Sequence, residues 1–451
     1  MRKIRQYYWF VASFVRHHLR GLILGIIGGI IVTLNFSSLI RLVPLKPTEY
    51  IGRPGSFTLP QLPLEIQQLV SDGLTQVDEA GQAQSALASR WETAEEGKVF
   101  TFTIGNGEKW ADGKAVESTD LEYALDDITI DRPAPQIISF RLNDAYSPFP
   151  TVVSQPLFRR ITTRGLLKKR TKIIGTKDFV IDEVRLRGGV IATLALRSSE
   201  QSRVFRFYPT EEDAIVAFKA GKVDRLEDIS DPRDLVGWKN VTIEGTTNYD
   251  QYVALFYNTS HPDLASKSIR QALTYAIPDK DVSGERAISP ISFKSWAYNP
   301  QVKDYESDPE AAKNLLDKEF SDKDSHLPPL EITTTQSYAP LAEKIVDAWK
   351  GLGITVTFKI VNFPDTSDYQ ILLIGQKVPS DPDQYTFWHS TQPTNFTHYN
   401  SPRIDKLLED GRKTLDQDER KLIYQDFQRF LVEDAPAAFL YYLKSYTITR
   451  S

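Results

Sequence analysis

At 451 residues the chain is too long for one ordinary domain and points to two or three lobes, with 41% hydrophobic and 25% charged residues supplying a normal buried core. The absence of cysteine excludes disulfides, thiol catalysis, cysteine-ligated metal and a lipid-modified N-terminal cysteine. Residues 1–46 hold seven of the Lys and Arg (Arg2, Lys3, Arg5, Arg16, Arg20, Arg41, Lys46) and no acid, so the remainder carries 47 basic against 59 acidic side chains, a balance that argues against nucleic-acid binding.

Gly21–Ile40 contains no charged residue and is bracketed by Arg20 and Arg41. Its twenty residues, at helical rise, match a hydrocarbon core about 30 Å thick. The basic leader 1–20 places the N-terminus in the cytoplasm and the rest outside. A long leader and no small-x-small site favour an uncleaved anchor over a signal peptide. Tyr7, Tyr8, Trp9 and Phe10 read as an interfacial stretch. Gly21, Gly25 and Gly29 share a helix face, which suits a close helix contact or is simply the glycine common in such segments.

Prolines 44, 47, 54, 60 and 63 mark a stalk, taken as 41–55, leading to a strand at Ser56–Leu59 and a helix at Leu64–Leu74. Strands are expected at Lys98–Ile104, in a hairpin over Val180–Arg197 turned at Gly188–Gly189, and at Val204–Tyr208, Tyr252–Tyr257, Leu330–Thr334, Ile354–Ile360 and Tyr369–Ile374. Helices are expected at Ser118–Leu125, Glu211–Lys219, Ser266–Ile277, Tyr338–Leu352, Arg403–Arg412 and Asp418–Val432, before a closing strand pair in Phe439–Thr449. The pattern is mixed α/β throughout, and Leu330–Ile360 reads as a βαβ-like unit.

Five stretches, in order, carry a family likeness: Leu69–Glu92 (LVSDGLTQVDEAGQAQSALASRWE), Gly97–Leu125 with its W-x-D-G turn at Trp110–Gly113, Phe205–Asp224, Leu255–Ile277 with IRQALTYAI, and Tyr399–Tyr442. Together they resemble the solute-binding components of ABC transporters for peptides, dipeptides and nickel, over roughly residues 48–450. The resemblance implies a type II periplasmic-binding-protein-like α/β fold, three-lobed with a hinged cleft. Lobe I would comprise 48–88, 172–255 and 430–451, small lobe II 89–171, and lobe III 256–429, with Gly245–Asn258 and Val432–Phe439 as hinge candidates. It also implies an oligopeptide or other small solute as ligand, ABC permease and ATPase subunits as partners, and no enzyme activity or cofactor. A surface sensor or scaffold on the same fold is the alternative.

Peptide-binding relatives hold a ligand's amino end with an aspartate in a G-W-x-x-D-x-x-D-P segment. The counterpart here is GQKVPSDP, Gly375–Pro382, in which Gln376 replaces the tryptophan, Val378 or Pro379 occupies the first aspartate's place, and Asp381 remains. Asp381 or Asp383 would substitute if the loop is repositioned, since a buried ammonium needs a carboxylate. Gly375, Gln376 and Lys377 offer backbone for strand-like pairing. Leu59 and Gln61 lie where the first lobe of relatives meets ligand, and Tyr385, Trp388 and His389 either line the cavity or pack. Trp110 reads as core, Arg270 as a structural charge, and Asp405 and Asp410 as exposed helix charges. Asp381, Asp383, His389 and His398 lack tight ligand spacing, and no metal is expected.

Overall fold

A computed structural model describes residues 9, 13–21, 23–25, 47–164, 169–280, 284–321 and 326–451, with backbone alone for 163–164 and 169–171. Met1–Thr48 with Glu200–Ser202 forms one unit, and the remainder forms another. In the first, residues 13–21 and 23–25 are helical, with Phe14, Leu19, Ile23 and Leu24 exposed. Among the described residues no helix is long and apolar enough to cross a membrane. Most of the Gly21–Ile40 run lies outside those residues, as do Gly29, Tyr7, Tyr8 and Phe10.

The second unit begins one residue into β1 (Thr48–Pro54) and continues with α1 (Leu64–Val70) and the short pair β2 (Thr75–Val77) and β3 (Ala83–Ser85). The first strand therefore lies within the expected stalk and not at Ser56–Leu59. Its parallel pairing with a distant strand, Ile51 opposite Arg225, outweighs a local sequence broken by glycine and proline. A four-stranded sheet follows, β4 (Ala88–Ala94), β5 (Val99–Ile104), β6 (Thr129–Ala134) and β7 (Ile137–Arg141), in the order β4-β5-β7-β6. Alternation in β5 buries Phe100, Phe102 and Ile104 with Phe140, Phe149 and Trp110. Trp110 is thus core, and its indole N–H donates to Asp120 at 3.0 Å.

The helix expected at Ser118–Leu125 is a single 3-10 turn, Ser118–Asp120. Arg132 takes the carbonyls of Ser118 and Leu121, which a continuing helix would have needed. Next come α2 (Phe149–Val152), the hairpins β8 (Arg159–Arg164) with β9 (Lys169–Ile174) and β10 (Val180–Arg187) with β11 (Val190–Arg197), then β12 (Ser202–Tyr208), α3 (Glu211–Lys219) and β13 (Arg225–Ile229). Gly188 and Gly189 turn the second hairpin at φ 62° and 86°. Thr210 caps α3 by accepting from the Asp213 N–H at 3.1 Å.

The remaining elements are β14 (Val241–Tyr257), α4 (Lys267–Tyr275), β15 (Gly284–Arg286), α5 (Pro309–Glu319), β16 (Leu330–Thr334), α6 (Ala339–Gly351), β17 (Val356–Ile360), β18 (Ile371–Lys377), α7 (Tyr385–Trp388), α8 (Pro402–Lys413), α9 (Gln417–Asp434) and β19 (Ala437–Arg450). β16, α6 and β17 form the expected βαβ unit with parallel strands. The closing strand pair is instead one strand of 14 residues, β19, because its whole length runs against β14. An eleven-stranded sheet runs β10-β11-β12-β1-β13-β19-β14-β18-β16-β17, with β15 also on β19.

The apolar clusters on this sheet are separate. Ile51, Leu194 and Phe205 anchor one at the β10–β1 end, and Leu226 and Ile448 anchor another near β13. Beyond β14, Val253, Leu255 and Leu373 pack under α4 and α6, while Tyr252, Phe256 and Leu372 pack under α8 and α9 on the opposite face. Arg270 is structural: its guanidinium donates to the carbonyls of Leu264, Ala265, Asp434 and Ala435.

Lys280 is buried, with its ammonium donating to the Ile277 carbonyl at 3.0 Å. Burial, then Arg286, pulls its pKa down to about 7 against the opposing pull of Asp304 and Glu306. An unfolded lysine titrates near 10.4, so between about 7 and 10 the unfolded chain binds more protons and stability rises with pH. Lys280→Met should flatten that rise and add on the order of 2 kcal/mol at pH 7. Urea denaturation at pH 7 and pH 9 reads both effects, and an unaltered pH slope contradicts the assignment.

Candidate functional site

β14 and β19 are the only strands of the large sheet that serve both groups of clusters among the described residues, through Ile243 and Ile448 on one side and Val253, Leu255, Ala438 and Leu440 on the other. Their ladder runs from Val241 opposite Arg450 to Phe256 opposite Ala437, and its register shifts between Asn248 and Tyr252. Tyr249, Asp250 and Gln251 bulge out of the β19 ladder there. Such a bulge bends a strand and re-aims its side chains. Gln251 then opposes Lys377 on β18, and the Val378 N–H donates to the Asp250 carbonyl at 2.9 Å.

The end of β18 thus meets the bulge, bringing Gly375, Gln376, Lys377 and Val378 to it. A Cβ on Gly375 would lie 2.5 Å from the Gln251 amide nitrogen and 2.6 Å from the Tyr338 hydroxyl, so glycine leaves these two polar groups meeting over bare backbone. The Gln376 amide donates to the Lys377 carbonyl at 2.8 Å. Phe293 stands edge-on to Tyr249 with centroids 4.7 Å apart, and the Lys294 ammonium lies 4.8 Å above the same ring.

Asp381 and Asp383 are held in the loop after β18 by arginines of α8 and α9. Asp381 accepts two hydrogen bonds from Arg420, at 2.5 and 2.9 Å, and both side chains are under a tenth exposed. Burial raises the Asp381 carboxyl pKa and the Arg420 guanidinium opposes it. Asp383 accepts from Arg412 at 2.9 Å and from the Tyr146 hydroxyl at 3.3 Å. Arg412 also lies 4.0 Å over Tyr385. The turn at Asp78–Gln82 adjoins this loop: a Cβ on Gly81 would lie 2.1 Å from the Ser380 carbonyl oxygen.

Tyr385 stacks on His389 at 4.1 Å. His389 is buried, its Nδ1 2.8 Å from Thr391 Oγ1 and its Nε2 3.4 Å from Glu409. Trp388 is fully buried and, with Tyr252, Phe256, Gln376, Phe387, Phe396 and Thr397, lines a small, partly open gap of about 10 Å³, room for about one water. Leu59 packs half-buried on the Ile51 cluster, and Gln61 is exposed and accepts from Thr58. No hydrogen bond or ion pair joins either to residues 375–389 among the described residues. Asp405 is less free than expected, accepting from the Ser390 N–H and hydroxyl, whereas Asp410 pairs with Lys406 on the surface. Among the described residues no three His, Asp or Glu are placed to hold a metal.

Sequence reasoning missed Asp250, Gln251 and Tyr338 at the bulge and the arginines on the two aspartates. A polar Asn-Tyr-Asp-Gln run opening the apolar stretch to Tyr257 was the available signal for the first group.

The family profile of bacterial extracellular solute-binding proteins, family 5 (middle), matches residues 201–398. A probable D,D-dipeptide-binding periplasmic protein of Escherichia coli is 23% identical over 79% of this chain and 78% of its own length. The oligopeptide-binding protein OppA of Bacillus subtilis is 20% identical over 82% of each. Among solved structures, the ABC transporter substrate-binding protein CtaP of Listeria monocytogenes superposes with a TM-score of 0.74 at 20% identity, covering 90% of this chain and 94% of that one. NikZ of Campylobacter jejuni, in complex with Ni(L-His), gives 0.70 at 21% identity, with 90% and 94% covered. These likenesses establish the fold.

Proposed function

We propose that this chain, which belongs to the family 5 bacterial extracellular solute-binding proteins, captures a peptide-like solute by closing its lobes and delivers it to an ABC importer while tethered to the membrane. Members of the family are substrate-binding proteins of ABC transporters and not enzymes. The observation that carries the closure is the pair of strands β14 and β19, shared by otherwise separate apolar clusters and bulged at residues 249–251. Bending at a few strand residues moves two bodies without exposing either core. Lobe I (48–88, 172–255, 430–451), small lobe II (89–171) and lobe III (256–429) are the moving bodies in this reading. The peptide-like ligand rests on the relatives named for dipeptides and oligopeptides. The tether rests on the uncharged run Gly21–Ile40 behind a basic leader.

Native mass spectrometry of the full chain, solubilised in detergent, tests this. The expected result is a retained peptide-like molecule and co-purification with two permease and two ATPase subunits. Adding that molecule should protect amides at 245–258 from hydrogen exchange. Asp381 and Asp383 are both committed to arginines, which favours a second reading, a surface sensor on the same fold. That reading predicts neither permease association nor loss of uptake on deletion.

A further inference from the structure

The geometry points to the hairpin of β8 and β9 as a surface that settles on anionic phospholipid headgroups. This contact rests on the tethered reading, which brings lipid within reach, and adds a second hold on the membrane.

Residues 159–177 hold eight Lys and Arg and no acid, and no Asp or Glu occurs between Asp144 and Asp178. Elsewhere the chain beyond residue 46 carries 39 basic against 59 acidic side chains. One hairpin therefore concentrates positive charge on an otherwise acidic body.

The two strands pair without a register shift, with Arg160 opposite Ile173 and Arg164 opposite Lys169. Alternation puts Arg160, Thr162 and Arg164 of β8 and Lys169 of β9 on one face, and Arg170 and Lys172 on the other. The ribbon is rooted at its base, where Ile161 and Ile174 pack into the cluster of the four-stranded sheet. Cations at that base are neutralised. Arg159 pairs with Asp112 and Asp120 at 2.5 and 3.6 Å, and Lys177 pairs with Asp72 at 2.7 Å. On the exposed positions this compensation stops. Arg160, Thr162 and Lys172 are exposed, and neither Arg160 nor Lys172 has an ion-pair partner among the described residues.

The last rung sets Arg164 directly opposite Lys169, and Arg170 stands in the rung before it. Like charges facing one another destabilise a ladder, and a two-stranded hairpin has little stability to spare. A solvated charge is the ordinary state of one exposed cation. It does not account for a ribbon whose outer rungs gather five cations (Arg160, Arg164, Lys169, Arg170 and Lys172) and no acid. An array of anionic headgroups does. It relieves the repulsion, it reaches both faces of a ribbon without needing a pocket, and each basic residue near such a surface adds to the attraction. Only residues 41–47 separate the uncharged run from β1, no more than about 25 Å of extended chain, so the body stays close to the lipid it would touch. A soluble acidic protein offers the same charge without that proximity.

The chain has no cysteine, so Thr162→Cys provides a single site for a fluorophore on the face between Arg160 and Arg164. The full chain is reconstituted in phosphatidylcholine vesicles with or without about a third phosphatidylglycerol, and a nitroxide-headgroup phosphatidylcholine in both quenches a dye that touches lipid. Quenching should be about fivefold or more stronger in the anionic vesicles, and high salt should remove the excess. Replacing all five cations with glutamine should abolish the excess without lowering the melting temperature, since it relieves like-charge repulsion. Arg160→Gln with Lys172→Gln should remove part of it.

Equal quenching in the two vesicles, or an excess that survives in the five-glutamine variant, overturns the assignment and leaves the tether intact. No excess in anionic vesicles, with the dye responding instead to soluble polyglutamate, hands the hairpin to an acidic protein and overturns it equally. A chain that fails to float with neutral vesicles loses the tether. The hairpin is then read directly: it stands if wild type floats with anionic vesicles and the five-glutamine variant does not, and it falls if the two behave alike.

Discussion

Replacing Asp381 with alanine is expected to cost about 3–5 kcal/mol of folding stability, because it leaves the Arg420 guanidinium buried without its counter-charge. Arg420 is a junction as well as a partner. Its Nε donates to the Gly411 carbonyl at 2.7 Å, and its plane lies 5.4 Å over the Trp296 ring. It therefore joins α9 to the end of α8 and to the loop after β18. Arg420→Ala should cost a similar amount, and Asp381→Ala with Arg420→Met much less than the sum, giving a coupling of about 2–3 kcal/mol. Chemical denaturation of the three variants measures it. The functional consequence is direct, since a buried carboxylate already neutralised by Arg420 and accepting a third bond from the Asp383 N–H offers little net charge to a ligand ammonium. Should Asp381→Ala unfold within about 0.5 kcal/mol of wild type, the pair is not structural and Asp381 returns as an anchor.

The elements that could be read from the sequence are those whose signals are local. Glu211–Lys219 has a capping threonine before it and Gly221 after it at φ 68°. Leu330–Thr334 is a short apolar, β-branched run behind two prolines, and its observed bounds match the expected ones. The elements that escaped are set by distant partners. Thr48–Pro54 is a strand because β13 pairs with it, more than 170 residues along the chain. Ser118–Leu125 fails as a helix because Arg132, brought back by β6, takes its carbonyls.

The same division holds at the site. Gly375–Lys377 could be located from the motif around them, and they do end β18 at the bulge. Asp381 could be located too, but its fate is decided by Arg420, 39 residues away on another helix, and nothing in the GQKVPSDP segment announces that partner. Tyr249, Asp250 and Gln251 sit in a run of mixed polar residues, and their bulge arises only when the register shift removes them from the ladder.

Trp388 shows how an aromatic near the motif divides between packing and binding. It is 2% exposed and packs against Phe256 and Phe439, with ring centroids 6.4 and 6.2 Å away. Its indole N–H has no hydrogen-bond partner among the described residues, and the side chain borders a gap of about 10 Å³. Trp388→Ala should cost about 3–5 kcal/mol, since it leaves a cavity where a fully buried indole packed between Phe256 and Phe439. Trp388→Phe keeps most of the packing and deletes an unsatisfied donor, so the two effects oppose and the net cost should be about 1 kcal/mol. Urea denaturation of both variants separates these contributions. If phenylalanine costs as much as alanine, the N–H has an acceptor in solution. The small gap beside it would then hold a water that accepts from the indole.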